Sequence, residues 1–499
     1  MTTYIIKRIL LMIPTLFFIA LIIFLVLNLA PGRPGQTQMS ADGTQAAESA
    51  EARESYRIFK EQFNFDKPIM VNSRFSLTQK EVEEQMEIVI RYQAPTCPAQ
   101  GAPTPGCVVA DSKPVSAQVL SAVELLEDWG AYVVPQLIEI GKSHEDIRYR
   151  RLAVNNLTGN AQRRLISSYG KILGEDERAY NDEAQAENET IRKWKVAADA
   201  SKEDVDKIMT ENWGPWFDKH QGRYEYSGSD KVKIFFTDTR FYKYMTNVIV
   251  LDFGVSHVDK KPVVDTIGSK LKYSITLSLI SILLAYLISV PLGVWSAYAQ
   301  GSKADQTVTL ILFMLYSLPS FFVAVVLLKL LTVGEPWQVF PTGGFVGEGA
   351  EDMTTIEQLK SITWHLVLPI VCLTYRGLAS LSRYARTGVL DVIRADYIRT
   401  ARAKGLSEPV VIIKHAVRNG MIPILTLLGS LLPVLIGGSV IIEVIFNIPG
   451  MGLYLFESIL SRDYNAIMAV LLISSLLTLV GLLVSDLSYA IVDPRISFD

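Results

Sequence analysis

Few side chains in this sequence are spaced for covalent chemistry. Neither a GxSxG nor an HExxH pattern occurs, and Gly141–Lys142–Ser143 ends like a phosphate-binding loop whose first glycine would have to stand at Gln136. His144, His220 and His257 are scattered among charged residues, the setting of solvated surface groups rather than of a general base. Cys97 and Cys107 lie in a Pro/Gly-rich loop with no histidine at zinc spacing, so a disulfide is expected there and no metal site. Cys372 falls in an apolar run, where a thiol packs as a small apolar group.

The spacing that remains is mechanical. Residues 396–406 (DYIRTARAKGL) read as a short helix with small side chains at Thr400, Ala401 and Ala403, ended by Gly405 as its C-cap. A second basic helix follows through Lys414 and Arg418. Small side chains let another protein's surface come close, and Arg399, Lys404 and Leu406 complete the candidate contact. A basic loop that only flanks a membrane would explain the charges but not the small residues with a terminal glycine.

The elements that hold this loop follow from composition. The chain has 499 residues, 49% hydrophobic and 20% charged, with a mean hydropathy of +0.25. About two thirds of the charges fall in residues 31–270, so one part reads as soluble and the other as membrane. The net charge of -3 and the lack of a long basic run argue against nucleic acid as a partner. Apolar stretches at 9–30, 273–298, 308–331, 365–384, 421–444 and 466–492 give six expected spans. The first is longer than the apolar core of a signal peptide and reads as a retained anchor. Basic residues crowd the 383–418 stretch, which places that loop and both termini in the cytoplasm and the long 31–270 segment outside it, in the periplasm of a two-membrane bacterium.

The external segment carries helical patterns at Val119, Val123 and Leu126, at Val133, Leu137 and Ile140, and at Tyr149, Leu152, Ala153 and Leu157. The stretch from Asp128 to Arg151 resembles one HEAT-type repeat, with an unspecified helical insert as the other reading. The Trp213–Phe217 cluster could touch a partner or the membrane, or be a packing knot.

The sequence resembles the membrane permeases of bacterial ABC importers for di- and oligopeptides, specifically the first of two permease subunits and most closely the microcin C type. The likeness rests on IPT at 13–15, LAPG at 29–32, FDKP at 65–68, LDFGVS at 251–256, SITL at 274–277, VPLG at 290–293 and LPSF at 318–321. Beyond the 396–406 loop it continues in IEVIF at 442–446, PGMG at 449–452, RDY at 462–464 and VDPR at 492–495. The resemblance implies an α-helical integral membrane protein of the type I importer permease fold, with six spans and a mainly helical external domain between the first and second. The division it suggests is 1–71, an insert at 72–238, and a permease core at 239–499 with its coupling loop at about 385–418.

It further implies a second homologous permease, two ATPase subunits or one fused ATPase, an external substrate-binding protein, and ATP with Mg bound on the ATPases rather than on this chain. The 396–406 helix would dock in a groove of an ATPase. Against the general importer pattern Arg399 stands where a Glu is usual and Thr400 where an Ala is usual, while Ala401 and Gly405 match. The insert has no counterpart in ordinary members. It admits an alternative reading, in which the chain anchors an external domain that recruits an envelope partner.

A secondary transporter would bury ionisable groups inside its spans. Here Lys329, His365, Glu443 and Asp486 fall near span ends, where snorkelling or capping suffices. Arg376 is a candidate for lining the path, with helix capping or an inter-subunit contact as equal alternatives. Pro319 and Pro433 can kink spans, and Gly437 and Gly438 permit close helix contact, so these are the other gate candidates.

Overall fold

Capping side chains start many of the helices in the computed structural model, which describes residues 2–29, 57, 60–61, 63–97, 108–109, 112–166, 172–256, 258–333, 339–417, 420 and 440–492. The chain divides into two compact units, Met39–Asp252 and the combination of Met1–Gln38 with Phe253–Asp499. In chain order the helices are α1 (Thr2–Leu29), α2 (Gln79–Gln93), α3 (Ser116–Asp128), α4 (Val134–Ser143), α5 (Ile147–Asn160), α6 (Glu175–Arg192), α7 (Lys202–Ile208), α8 (Gly214–His220), α9 (Gly228–Thr237) and α10 (Arg240–Ile249). There follow α11 (Val263–Tyr298), α12 (Lys303–Ser317), α13 (Ser320–Leu328), α14 (Thr355–Ile393), α15 (Asp396–Ala403), α16 (Val440–Ile445), α17 (Met451–Leu460) and α18 (Tyr464–Val492).

The Met39–Asp252 unit is a helical body with its own core. Thr78 and Glu81 form a reciprocal capping box at the start of α2, as do Ser201 and Asp204 for α7. Helix α2 then buries Val82, Met86, Val89 and Ile90, one face at helical spacing. Helices α4 and α5 form an α-hairpin in which Leu137, Ile140, Ala153 and Leu157, with Val133 just before α4, are fully buried, on the faces the sequence indicates. Trp213 is fully buried and meets Trp194 and Trp216 edge-to-face, so the Trp213–Phe217 cluster is a packing knot.

The histidines differ from expectation. His144 and His220 are half-buried structural groups: His144 stacks on Tyr149 at 4.3 Å and accepts from the Asp146 amide, while His220 Nδ1 lies 2.8 Å from the Trp216 carbonyl oxygen. His257 lies outside the described residues.

Within this unit, the two ends of the expected insert are tied together. Asn72 donates through Nδ2 to the Asp238 carbonyl at 3.1 Å and to its carboxylate at 3.0 Å, and the Asn72 amide donates to the Phe235 carbonyl. Lys67 pairs with Asp238, Tyr132 donates to the same carboxylate at 2.8 Å, and Arg240 donates through its side chain to the carbonyls of Phe65 and Lys67. Residues 72 and 238, where the insert is expected to begin and end, are therefore hydrogen-bonded neighbours.

In the other unit, four described helices are long and apolar enough to cross a membrane: Tyr4–Leu29, Val263–Tyr298, Thr355–Ile393 and Tyr464–Val484. A bent pair, Lys303–Ser317 with Ser320–Thr332, makes a fifth if it is one span. The expected span at 308–331 is bent by 91° at Pro319, the proline expected to kink it, because Pro319 cannot donate to the preceding turn and the chain restarts at Ser320. Most of the expected 421–444 span lies outside the described residues.

The unit is organised on α11 and α14. Helix α11 buries Leu277, Ser281, Ala285, Ser289, Gly293 and Ala297, a ridge of mostly small residues at intervals of four. Against it α14 sets Thr374, Ser382, Ala385 and Val389. The backbones approach so closely that a Cβ on Gly293 would sit 2.4 Å from the Ala385 Cβ and 2.5 Å from the Ser382 carbonyl oxygen. Ser289 and Thr374 bond across the seam to the Leu378 and Ser281 carbonyls. Such contacts are what joins helices in lipid, where apolar burial alone gives little preference for a neighbouring helix over a lipid tail.

Gly293→Val is expected to overpack this seam by about 1–3 kcal/mol, lowering the melting temperature of the purified protein in detergent. Gly301→Ala, whose Cβ meets nothing within 4 Å but whose φ is +82°, tests backbone strain alone. The tie between the insert's ends makes a second prediction. Burial raises the Asp238 carboxyl, but the Lys67 charge and the hydrogen bonds from Lys67 and Tyr132 outweigh it and hold the group below its usual range. The stabilisation is therefore present above the unfolded carboxylate pKa of about 3.9 and is lost as pH falls through the depressed folded value. Asp238→Asn is expected to speed hydrogen exchange in residues 64–72 and 235–241 together at neutral pH, with the difference from wild type fading as the medium is acidified past that value.

Candidate coupling site

Helix α15 is a single two-turn element standing at the end of α14. Its exit is a Schellman turn: Gly405 adopts a φ of +79°, its amide donates to the Arg402 carbonyl at 2.9 Å, and the Leu406 amide reaches the Ala401 carbonyl at 3.4 Å. Glycine is required by that left-handed φ rather than by space, since a Cβ there would meet nothing within 4 Å. Arg402 Nη2 then pairs with Glu408 at 2.6 Å, linking α15 to the turn that follows. The hydrogen bond from Arg402 holds the Glu408 carboxyl below its ordinary range.

The small residues divide between two faces. Ile398 and Ala401 are buried, with Val411 and Ala416 from the following turns and Ala297 and Val389 from the ends of α11 and α14. Ala401 is therefore small because it packs on its own subunit. The outward face comprises Tyr397, Arg399, Thr400, Ala403, Lys404 and Leu406, all exposed. Arg399 is engaged only loosely, at 3.3 Å from Asp396 on the same helix. Thr400 and Ala403 leave room on the exposed face, while Ile398 and Ala401 join α15 to the ends of α11 and α14.

Asp305 braces the same end of the helix pair. It is buried at the first turn of α12, accepts from Ser296 of α11 and the Gly301 amide, and pairs with Arg386 of α14 at 2.8 Å. Sequence reasoning did not single it out. Its signal is Ser302 three residues earlier, an N-cap whose hydroxyl accepts from the Asp305 amide at 3.1 Å.

At the opposite end of α11, separate sequence motifs converge. Glu443 of α16 is fully buried; it accepts from Ser274 at 2.8 Å and from the Gly452 and Leu453 amides at 2.7 and 3.1 Å. The carboxylate thus caps the start of α17, where backbone N–H groups and the helix dipole favour an anion. A Cβ on Gly450 would lie 2.5 Å from both Glu443 Oε2 and Ser274 Oγ, so only glycine fits that corner. Ser256 likewise donates to the buried Asp463, which caps α18, and Asn465 donates to the Val255 carbonyl at 3.0 Å.

The remaining candidates separate. Pro319 stands at the 91° break, where Tyr375 of α14 donates to the Leu318 carbonyl at 2.9 Å. Arg376 is exposed on α14. His365 Nδ1 lies 2.7 Å from the carbonyl oxygen of Ser361 one turn back, and Asp486 pairs with Arg8 and accepts from Tyr4 of α1. Cys97 is disulfide-bonded and Cys372 is a buried free thiol. Cys107, Pro433, Gly437 and Gly438 lie outside the described residues. No group of three or more metal-ligating side chains occurs among the described residues.

Residues 289–498 match the model for the binding-protein-dependent transport system inner membrane component. Among curated proteins, the oligopeptide transport system permease protein AppB of Bacillus subtilis (strain 168) is 42% identical over 260 residues, 52% of this chain and 80% of that one. The inner membrane ABC transporter permease protein YejB of Escherichia coli O157:H7 is 34% identical, over 52% of this chain and 72% of that one. The glutathione transport system permease protein GsiC of Escherichia coli (strain K12) is 34% identical, over 52% and 79%. With α15 exposing one face and the spans behind it matched in sequence, this chain belongs to the binding-protein-dependent inner membrane permeases of ABC importers, the subunits that carry the membrane path and leave ATP hydrolysis to separate chains.

Proposed function

We propose that the chain is one permease subunit of an ATP-driven importer of peptides, pairing with a second, homologous permease to enclose the path. The observation that carries this reading is the division of α15 into a face packed on α11 and α14 and a face open to a partner. Two ATPase subunits, or one fused ATPase, receive Thr400 and Ala403 and hold ATP and Mg; this chain holds neither. An external binding protein delivers the substrate. Peptides are the proposed cargo because the relatives named for oligopeptides and glutathione match over most of their own length.

Six spans of the type I permease arrangement complete the membrane part, the fifth lying largely in 421–444. Pairing of Tyr4 and Arg8 with Asp486 sets the start of α1 beside the end of α18, which supports both termini on one side, the cytoplasmic one, with the insert outside. Cys97 and Cys107 form the disulfide of that oxidising side.

Docking and folding are separable at α15. Thr400→Trp and Ala403→Trp change only exposed positions, so in the reconstituted transporter they are expected to cut ATP-dependent uptake at least tenfold while the melting temperature stays put. Intact uptake in both variants rejects the docking assignment. Ala401→Asp, by contrast, buries a charge against Ile398 and Val389 and is expected to lower the melting temperature itself. Gly405→Ala is expected to cost the turn about 1–2 kcal/mol, because its φ is left-handed.

The insert's own core and its tied ends favour a second role: an added domain, a single helical repeat body of HEAT-like type, that recruits an envelope partner. Replacing 75–235 by a short linker is expected to leave the membrane part folded and bound to its ATPase. Lost capture of the substrate-binding protein would then assign the insert to recruitment, whereas unchanged uptake would make it accessory.

A further inference from the structure

We propose that Arg376 and Arg383 form an anion-selecting stripe on a water-filled face of α14, matched to the free carboxylate of a peptide in transit. The positions are set by the helix. Arg376, Ser380, Arg383 and Thr387 follow at intervals of four, three and four, so they lie on one face. Arg376, Arg383 and Thr387 are exposed and Ser380 is half-exposed. One and two turns earlier the same face is closed, with Cys372 and Pro369 buried.

Depth makes the exposure informative. Arg376 stands seven residues inside Arg383, about 10 Å along the axis at 1.5 Å per residue. Next to it Tyr375 reaches the Leu318 carbonyl at the break of the bent span, and Gly377 packs on Ala285 in the middle of the apolar run of α11. A cation facing lipid at such depth costs on the order of 3 kcal/mol, so this face is not lipid-facing. Among the described residues neither arginine makes a hydrogen bond or an ion pair, and no acidic side chain lies on the stripe before Asp391. Within the described residues the stripe therefore carries two positive charges without an acidic partner, which suits a water-filled face. A guanidinium in such a place binds a carboxylate through two parallel N–H bonds, and two of them a helix turn or two apart offer successive positions for one moving anion. This inference rests on the peptide-import reading for the identity of the anion.

The test needs no transported compound. In a Cys372→Ser background, Ser380→Cys places one thiol between the arginines in membrane vesicles carrying the assembled transporter. Its modification is followed with the anionic sulfonatoethyl and the cationic trimethylammonioethyl methanethiosulfonates, each scaled to its rate with glutathione. The anionic reagent is expected to be favoured roughly tenfold by the local potential. Arg376→Gln with Arg383→Gln is expected to bring the ratio near one, and Arg376→Lys to keep most of it. Labelling by neither charged reagent, with N-ethylmaleimide reacting, means a dry face and overturns the proposal; so does a ratio indifferent to the arginines. Uptake of trialanine by the wild-type transporter is scored separately. Charge-selective labelling without trialanine uptake overturns the peptide reading alone, and uptake without charge-selective labelling overturns the stripe alone.

Discussion

The close approach of α11 and α14 is the constraint on which the membrane part depends. In water two helices join to hide apolar surface, but in lipid that gain is largely absent, and what remains is dispersion between backbones near enough to touch. The ridge Ser281, Ala285, Ser289, Gly293 meets Thr374, Ser382 and Ala385, and at Gly293 not even a Cβ fits between the helices. Both ends of the seam carry specialised structure. At one end the Val294–Ala297 and Val389–Val392 segments form the floor on which Ile398 and Ala401 rest, with Asp305 and Arg386 tying α12 alongside. At the other, Ser274 holds Glu443 and through it the start of α17.

In the proposed importer, this arrangement would let a push on α15 reach both long helices. A loop attached only by its two ends would bend under load. Because Ile398 and Ala401 are locked into a dry cluster with both long helices, α15 moves with them as a rigid piece. The soft point lies elsewhere, at the 91° break after Ser317, where the missing amide of Pro319 leaves the turn held by Tyr375 from α14. Among the described residues, the packed α15 and the bent helix pair are thus both tied to α14.

Much of this was legible in the sequence, for physical reasons that differ by element. Gly405 could be read because a left-handed helix exit admits few residues other than glycine, and the helix before it was marked by small and basic side chains. The division of its faces could not be read, since Thr400, Ala401 and Ala403 are alike in size and only tertiary packing decides that Ala401 turns inward. The 91° bend was equally hidden: a proline announces a break, not its angle. Glu443 and Asp463 sat in short motifs of family type, yet their role as caps depends on Ser274 and Ser256, some 169 and 207 residues away in the chain.

The charged insert obeys a different logic from the spans. Its core is built by ordinary apolar burial around Trp213, Leu137 and Leu157, and its helices begin on Ser, Thr and Asp caps as soluble helices do. Its two ends meet through Asn72, Asp238, Lys67 and Arg240, so the geometry that the rest of the chain must supply is only a pair of adjacent attachment points. The Lys67 and Asp238 pair is half-buried, and Asp238 also accepts from Asn72 and Tyr132, so several bonds share the tie between the two segments.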